Sequence, residues 1–361
     1  MFYPIRVSSK FPICGLPLRL DSYNNCQYNC RYCFGDNRRI GLRDEDSSPN
    51  LQWLKNKFHK VYDEKDIDKT NFLEVLLKNQ ITLHGGSQSD CFQPQERELH
   101  YTQAVVELCN EYDQKILFST KSDKLFGVDV NPKLHSFQLS VSNTDDDRFL
   151  EPNVPEFQDR VRFFRELLDS GFKVGIRIQP YINGVTDVEK IVDVFDGAVH
   201  FTLESIKLVP GNPDNPELMK YVKYRKRDFT NLGLLNVKPE IRLMYYDGLV
   251  KLFEDRGLSY SIADNDLHHM GNNYCCCGDE LIMRDTLFHN TRLLQKSKNY
   301  SIDVVFNEGS DYLDCNCSSL YVSDKRNGCR TVKEFYEDRF DRKTSTFSPK
   351  FQYYSNQVRL I

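Results

Sequence analysis

The chain has 361 residues, a net charge of −4, and 40% hydrophobic and 12% aromatic residues. That is enough apolar content for one barrel-sized domain with an extension, or for two domains. The acidic balance excludes a bulk electrostatic pull toward nucleic acid, and no run of about 18 apolar residues is present to span a membrane. No long apolar segment follows Met1-Phe2-Tyr3-Pro4-Ile5-Arg6 to act as a secretory leader, so the expectation is a cytoplasmic protein without a membrane partner.

Taken in order, residues 16–25 alternate apolar and polar and predict a first strand, and residues 36–48 read as loop. Helical patterns run from Asn50 to Tyr62 and from Ile67 to Lys78. Ile81 to His84 predicts a strand that ends in Gly85-Gly86-Ser87-Gln88-Ser89-Asp90, where glycines allow close backbone approach. A helix follows from Pro94 to Tyr112, then strands at Lys115–Ser119 and Phe137–Ser142. Pro155 to Ser170 is a periodic helix closed by Gly171. Lys173–Gln179 is the next strand, Thr186–Asp196 a helix, and Phe201–Val209 a strand ended by Pro210-Gly211. Helices are expected at Pro216–Arg227 and Pro239–Arg256, and a seventh short strand at Leu258–Ala263.

Strand–helix alternation of this kind predicts an α/β fold with a parallel sheet, and six units suit a partial (βα)6 TIM-like barrel. Composition shifts near Asp264. The expected organisation is a barrel over 1–263 and a cysteine-rich C-terminal extension over 264–361.

Twelve cysteines without an export signal argue for free thiols or metal ligands and against a disulfide framework. Cys26, Cys30 and Cys33 are spaced Cys-x3-Cys-x2-Cys, directly after the first strand. Active sites of parallel barrels sit at that end. Three thiolates about one turn apart can converge on one soft metal centre: zinc, copper(I) or an iron–sulfur cluster. With no fourth ligand close by, a cluster here would keep one iron open.

This spacing, with Tyr32 just before the last cysteine, resembles the signature of the radical S-adenosylmethionine (radical SAM) enzymes. The resemblance implies a [4Fe–4S] cluster on Cys26, Cys30 and Cys33. Its open iron would chelate SAM, and one electron, from a donor such as flavodoxin or ferredoxin, would cleave it to a radical that takes hydrogen from a substrate. Further matches look most like the spore photoproduct lyase, or "DNA repair photolyase", branch. They are Ser89-Asp90 with Phe92-Gln93-Pro94-Gln95-Glu96, Thr120-Lys121, Ser140, Glu151-Pro152 and Arg160, over about residues 18–182. As the resemblance implies, Lys121 pairs with the SAM carboxylate, Asp90 accepts from its amine, Ser89 and Ser140 bond its carboxylate or ribose, and Tyr32 lies near the adenine. That branch has a hydrogen-donating cysteine two residues before the Ser-Asp pair. This chain has Ser87 there, and Cys91 is the candidate substitute. The branch favours a nucleic acid or nucleotide as substrate.

Six cysteines fall in the extension. Cys277, Cys315, Cys317 and Cys329, with Cys275 as an alternate, are candidate ligands of an auxiliary [4Fe–4S] cluster or a structural zinc, with His268-His269 nearby. The extension is expected to cap the barrel mouth. An auxiliary cluster would favour a peptide- or small-molecule-modifying enzyme, and the alternative of another class is a zinc-stabilised, non-catalytic binding protein. Lys223-Tyr224-Arg225-Lys226-Arg227 reads as a basic helical segment, more in keeping with a solvated face than with a phosphate site.

Overall fold

Val174-Gly175-Ile176-Arg177-Ile178-Gln179 sets out the construction of the sheet. Side chains of a strand alternate between faces. Val174, Ile176 and Ile178 are fully buried in the main apolar core, while Arg177 and Gln179 line an internal cavity. The same division holds along the neighbouring strands, so the apolar core lies between sheet and helices and the barrel lumen is polar. Each fully buried Phe, Leu or Ile of that core contributes roughly 1.5–3 kcal/mol.

The computed structural model describes residues 1–12, 14–33, 35, 48–145, 148–231, 234–264, 267–273, 275–278, 288, 302–308, 312–318, 320, 328–341 and 346–347. Phe34, Tyr274 and all but Ser48 of the loop expected at 36–48 lie outside them. The first two strands are β1 (Ile5–Val7) and β2 (Leu18–Leu20). Helices α1 (Leu51–Phe58) and α2 (Phe72–Lys78) lead to β3 (Leu83–Gly85). Helices α3 (Glu96–Leu99) and α4 (Tyr101–Glu111) lead to β4 (Ile116–Thr120), and a loop leads to β5 (His135–Ser140). Then come α5 (Phe157–Asp169), β6 (Val174–Tyr181), α6 (Val188–Val194) and β7 (Phe201–Ser205). An insertion of β8 (Lys207–Leu208), α7 (Pro216–Val222), β9 (Phe229–Asn231) and β10 (Leu235–Val237) precedes α8 (Pro239–Asp255) and β11 (Tyr260–Ile262).

Eight strands form one sheet in the order β1-β2-β3-β4-β5-β6-β7-β11. β1 runs antiparallel to β2, and all the other neighbours are parallel. This is the expected partial barrel, with β11 as the seventh parallel strand and β1 as an antiparallel edge that the sequence pattern does not single out. Helix α5 ends as Gly171 predicts. Gly171 has φ +82°, its N–H donates to Leu168 O (2.9 Å), and Phe172 N–H donates to Leu167 O (3.0 Å).

Three expected elements differ. The helix expected over Pro94–Tyr112 is broken into α3 and α4 at His100, which takes a left-handed φ of 52°. The strand expected over Phe201–Val209 splits, because after Ser205 the chain leaves the barrel for a small sheet ordered β8-β10-β9. The helix expected over Pro216–Arg227 stops at Val222, where Lys223 turns left-handed, so the basic run is not one helical face.

Among the described residues it is the insertion that packs at the mouth. Ile206, Leu208, Leu218, Val222, Phe229 and Val237 cluster with Tyr28, Cys30 and Tyr32 of the cysteine loop. The described residues of the extension are found elsewhere. Its Cys275 and Cys277 cluster with Leu16 and Leu117, beside Val199, all near the N-terminal ends of strands and so at the floor. Val305, Tyr312, Leu313, Cys315, Cys317, Val332 and Phe335 join the main core instead.

Candidate active site

The cysteine loop follows β2 and has almost no regular structure of its own, so its shape comes from its neighbours. Gln93 is fully buried; its side-chain oxygen accepts from Gln27 N (2.8 Å) and its amide donates to Asn25 O (2.9 Å). Gln95 donates to Asn25 Oδ1 (2.9 Å), and its N–H donates to Gln27 Oε1 (3.0 Å). Tyr28 donates to Phe92 O (3.0 Å). From the other side Asn153 donates to Gln27 O (2.7 Å), and Arg31 N–H donates to Leu150 O (2.9 Å). The segment Phe92–Glu96 is thus a clamp on the cysteine loop.

One cavity of about 340 Å³ opens at the C-terminal ends of the parallel strands. Cys26, Cys30, Cys33, Tyr32, Ser89, Asp90, Lys121 and Ser140 all line it. Every residue that the sequence assigned to the catalytic cluster or to SAM therefore faces one space. Three thiols from one tight loop, with the Cys33 N–H to Cys30 O turn at 2.9 Å, are a donor set that fits an iron–sulfur cluster. Among the described residues no three His, Cys, Asp or Glu side chains are drawn together as metal ligands are, the motif cysteines included.

The polar residues of the rim are tied to one another. Asp90 accepts from Thr120 Oγ1 (2.7 Å), Lys121 N (2.7 Å) and Phe92 N (2.9 Å), and so bolts the β3 loop to the end of β4. Burial pushes its carboxyl up despite those bonds. Ser89 donates to Tyr23 O (2.6 Å) and Ser140 to Gln179 O (3.2 Å). In this arrangement Asp90, Ser89 and Ser140 first of all shape the rim.

Glu151 is the residue the sequence reading underused. In the sequence it is only the acid of the Glu151-Pro152 step. Its carboxylate accepts from Lys121 Nζ (2.6 Å) and from Tyr32 Oη, and Lys121 Nζ also lies 5.7 Å from the centre of the Tyr32 ring. Burial raises the Glu151 carboxyl, but Lys121 and Arg160 outweigh it and hold it at about 2. Arg160 itself is buried and donates to Ser140 O (3.1 Å).

Also lining the cavity are polar and charged groups that sequence reasoning missed: Arg19 on β2, His84 on β3, Arg177 on β6, Glu204 on β7 and Lys207 on β8. The signal was present as charged residues alternating with apolar ones inside Leu18–Leu20, Val174–Tyr181 and Phe201–Ser205. A charge alternating in a buried strand points into a lumen.

Two expected placements fail. Cys91 is buried in the main core, does not line the cavity, and burial pushes its thiol well up, so nothing presents it to a substrate. Ser87 does line the cavity and donates to Asp21 (2.8 Å). The quartet Cys277, Cys315, Cys317 and Cys329 is not brought together. Cys277 lies at the barrel floor with Cys275, Cys276 and Cys14, while Cys315 donates to Lys69 O (3.4 Å) outside the barrel and Cys329 to Glu334 O (3.6 Å). The reason is the chain path, which passes under the barrel first and around its outer layer afterwards. His268 Nδ1 bonds Ile262 O (2.7 Å) and joins neither group.

No family model matches the chain. An uncharacterized protein of Methanocaldococcus jannaschii is 23% identical over 200 residues, which is 52% of this chain and 71% of that one. A double mutant of spore photoproduct lyase with bound AdoMet and dinucleoside spore photoproduct aligns over 72% of this chain and 80% of its own, at 15% identity and a TM-score of 0.49. Streptococcus suis SuiB bound to S-adenosylmethionine aligns over 70% of this chain and 52% of its own, at 14% identity and a TM-score of 0.42. Among the described residues no helix is long and apolar enough to cross a membrane.

Proposed function

We propose that this chain is a radical SAM enzyme that abstracts a hydrogen atom from a substrate held in the barrel lumen. The observation that carries the reading is that Cys26, Cys30, Cys33 and all five residues assigned to SAM line one cavity at the strand ends. Cys26, Cys30 and Cys33 would hold the cluster, and with SAM bound it would supply reductive cleavage and hydrogen-atom chemistry. The chain's own residues then have defined tasks. Lys121, a point charge carried on a strand end, orients the SAM carboxylate. Tyr32 and Glu151 hold that ammonium in place from the other side. Ser89, Asp90 and Ser140 keep the rim in register. The insertion packed on the cysteine loop excludes water from the mouth.

Anaerobic purification and reconstitution test this. Iron and sulfide should load, with absorbance near 400 nm from sulfur-to-iron charge transfer. Dithionite-reduced protein should cleave SAM, and Cys30→Ala should abolish cleavage. Zinc without iron, or full cleavage by Cys30→Ala, would overturn the reading.

A further inference from the structure

The lumen below the rim carries more buried positive charge than its carboxylates answer. Arg177 and Lys207 share one partner, Glu204: Arg177 Nη2 lies 3.0 Å from it, and Lys207 pairs with its other oxygen. These three side chains are between 9% and 14% exposed. Across the lumen Arg19 donates to His84 Nδ1 and to Cys14 Sγ (3.4 Å), neither of them a carboxylate. Burial, with Arg19 and Arg177 close by, lowers the His84 pKa well below the usual value, so it stays neutral and offers no countercharge.

Neutral side chains fix this arrangement. Since Arg19 can only donate, His84 carries its proton on Nε2 and donates to Ser119 Oγ (2.8 Å). Ser119 donates to Gln138 Oε1 (3.3 Å), and Gln138 donates to Thr202 Oγ1 (3.0 Å) and Cys276 O (3.3 Å). The chain of bonds holds the Arg19 guanidinium in place with polarity alone. A buried cation without a counterion is costly, and guanidinium groups match carboxylate and phosphate oxygens in a two-pronged fashion.

Arg19 is placed away from the proposed SAM end, while Arg177 is in register with Ser140 and Lys207 follows the end of β7. Lys121, Glu151 and Tyr32 stand at the rim beside Cys30. Arg19 instead touches Cys14, and Arg177 acts electrostatically on Cys276 and Cys277, all of them at the floor. A molecule held at both ends would place its charged group on the floor and the rest of its body toward the cysteine loop.

We infer that the substrate carries a carboxylate or phosphate group, that Arg19 seats that group toward the floor of the lumen, and that Arg177 and Lys207 add positive charge from above it. This rests on the radical SAM reading for what happens to the substrate, though not for its binding.

The test is calorimetric titration of the reconstituted, SAM-loaded protein with malonate, inorganic phosphate and pyrophosphate. Saturable binding of at least one is expected, and the tighter class tells carboxylate from phosphate. Arg19→Met should weaken it by about 10-fold or more, Arg19→Lys by less, and Lys226→Gln, at an exposed pair with Asp214, not at all. If Arg19→Met does not fold, Arg19→Lys together with Lys207→Gln carries the comparison. Absence of binding to the unmutated protein, or equal binding by the Arg19 variants, would overturn the inference. So would one-for-one displacement of SAM by the probe, which would assign these cations to SAM. Iron uptake and anion binding are read separately: protein that takes up no iron on reconstitution yet still binds the anion would remove the radical SAM assignment and leave the anion site standing.

Discussion

Lys121 Nζ lies 2.6 Å from Glu151 Oε1, joining the end of β4 to a loop 30 residues further along the chain. Both side chains are largely withdrawn from water, at 13% and 4% exposure. Removing the carboxylate would leave Lys121 beside Arg160 without compensation. Glu151→Gln should therefore destabilise the fold by on the order of 3 kcal/mol in urea unfolding, with SAM affinity falling alongside. A variant as stable as the parent would show that this node is not structural.

Acid should unfold the protein in two stages. Burial depresses His84, His135 to about 4 and His200 to about 3, all below the ordinary histidine value of 6.5. The unfolded chain then binds protons that the native chain refuses, so stability falls as pH drops below about 6.5, by up to roughly 1.4 kcal/mol per pH unit for each histidine. Glu151 and Glu204 sit at about 2 against an ordinary 4.5, held down by their cations against the opposing effect of burial. Their contribution is complete above about 4.5 and disappears as pH falls toward 2, which steepens the second stage. Thermal unfolding from pH 8 to pH 3 reads both, and a flat midpoint between pH 7 and 5 would contradict the buried neutral histidines.

Gln93→Ala should leave the barrel folded and loosen the cysteine loop. After reconstitution the variant should release iron to a chelator faster than the parent, with a circular dichroism spectrum unchanged. Equal release rates would mean that the loop holds its shape without the clamp.

Gly86 has φ +84°, and a Cβ there would lie 2.2 Å from Ser119 O. Neither the backbone angle nor the space suits an alanine. Gly86→Ala should cost at least roughly 2 kcal/mol, read as a lowered melting temperature.

Cys91→Ala tests the placement of that thiol in the core. SAM cleavage and iron content should match the parent, with stability lower by roughly 1 kcal/mol. Loss of substrate turnover at full SAM cleavage would bring Cys91 back as a hydrogen donor.

The parallel barrel was legible because its signals are local. Apolar strands such as Lys173–Gln179 and capped helices such as Pro155–Gly171 read correctly from period and punctuation. The cavity-lining positions of Ser89 and Lys121 were legible because each stands within a few residues of a strand end, and that of Cys30 from the cysteine spacing and the resemblance it carries. What failed was information that lies between distant segments. Nothing around Cys277 tells that it meets Leu16 and Leu117, and nothing around Cys315 tells that it meets Lys69. The β8–β10 sheet is built of two- and three-residue strands, too short for a period to register, so the cap at the mouth went unseen. His100 broke one helix into two because a left-handed residue interrupts hydrogen bonding without interrupting the apolar pattern.

The clamp on the cysteine loop means that the ligand motif is not a portable module. A segment covering 26–33 moved into another scaffold would carry three thiols and none of the instructions for presenting them, because those are written at Gln93, Gln95 and Asn153, some 66 to 126 residues away. A change at any of these positions would act on the cysteine loop without touching a cysteine. The shape of this loop is therefore written in three stretches of sequence at once.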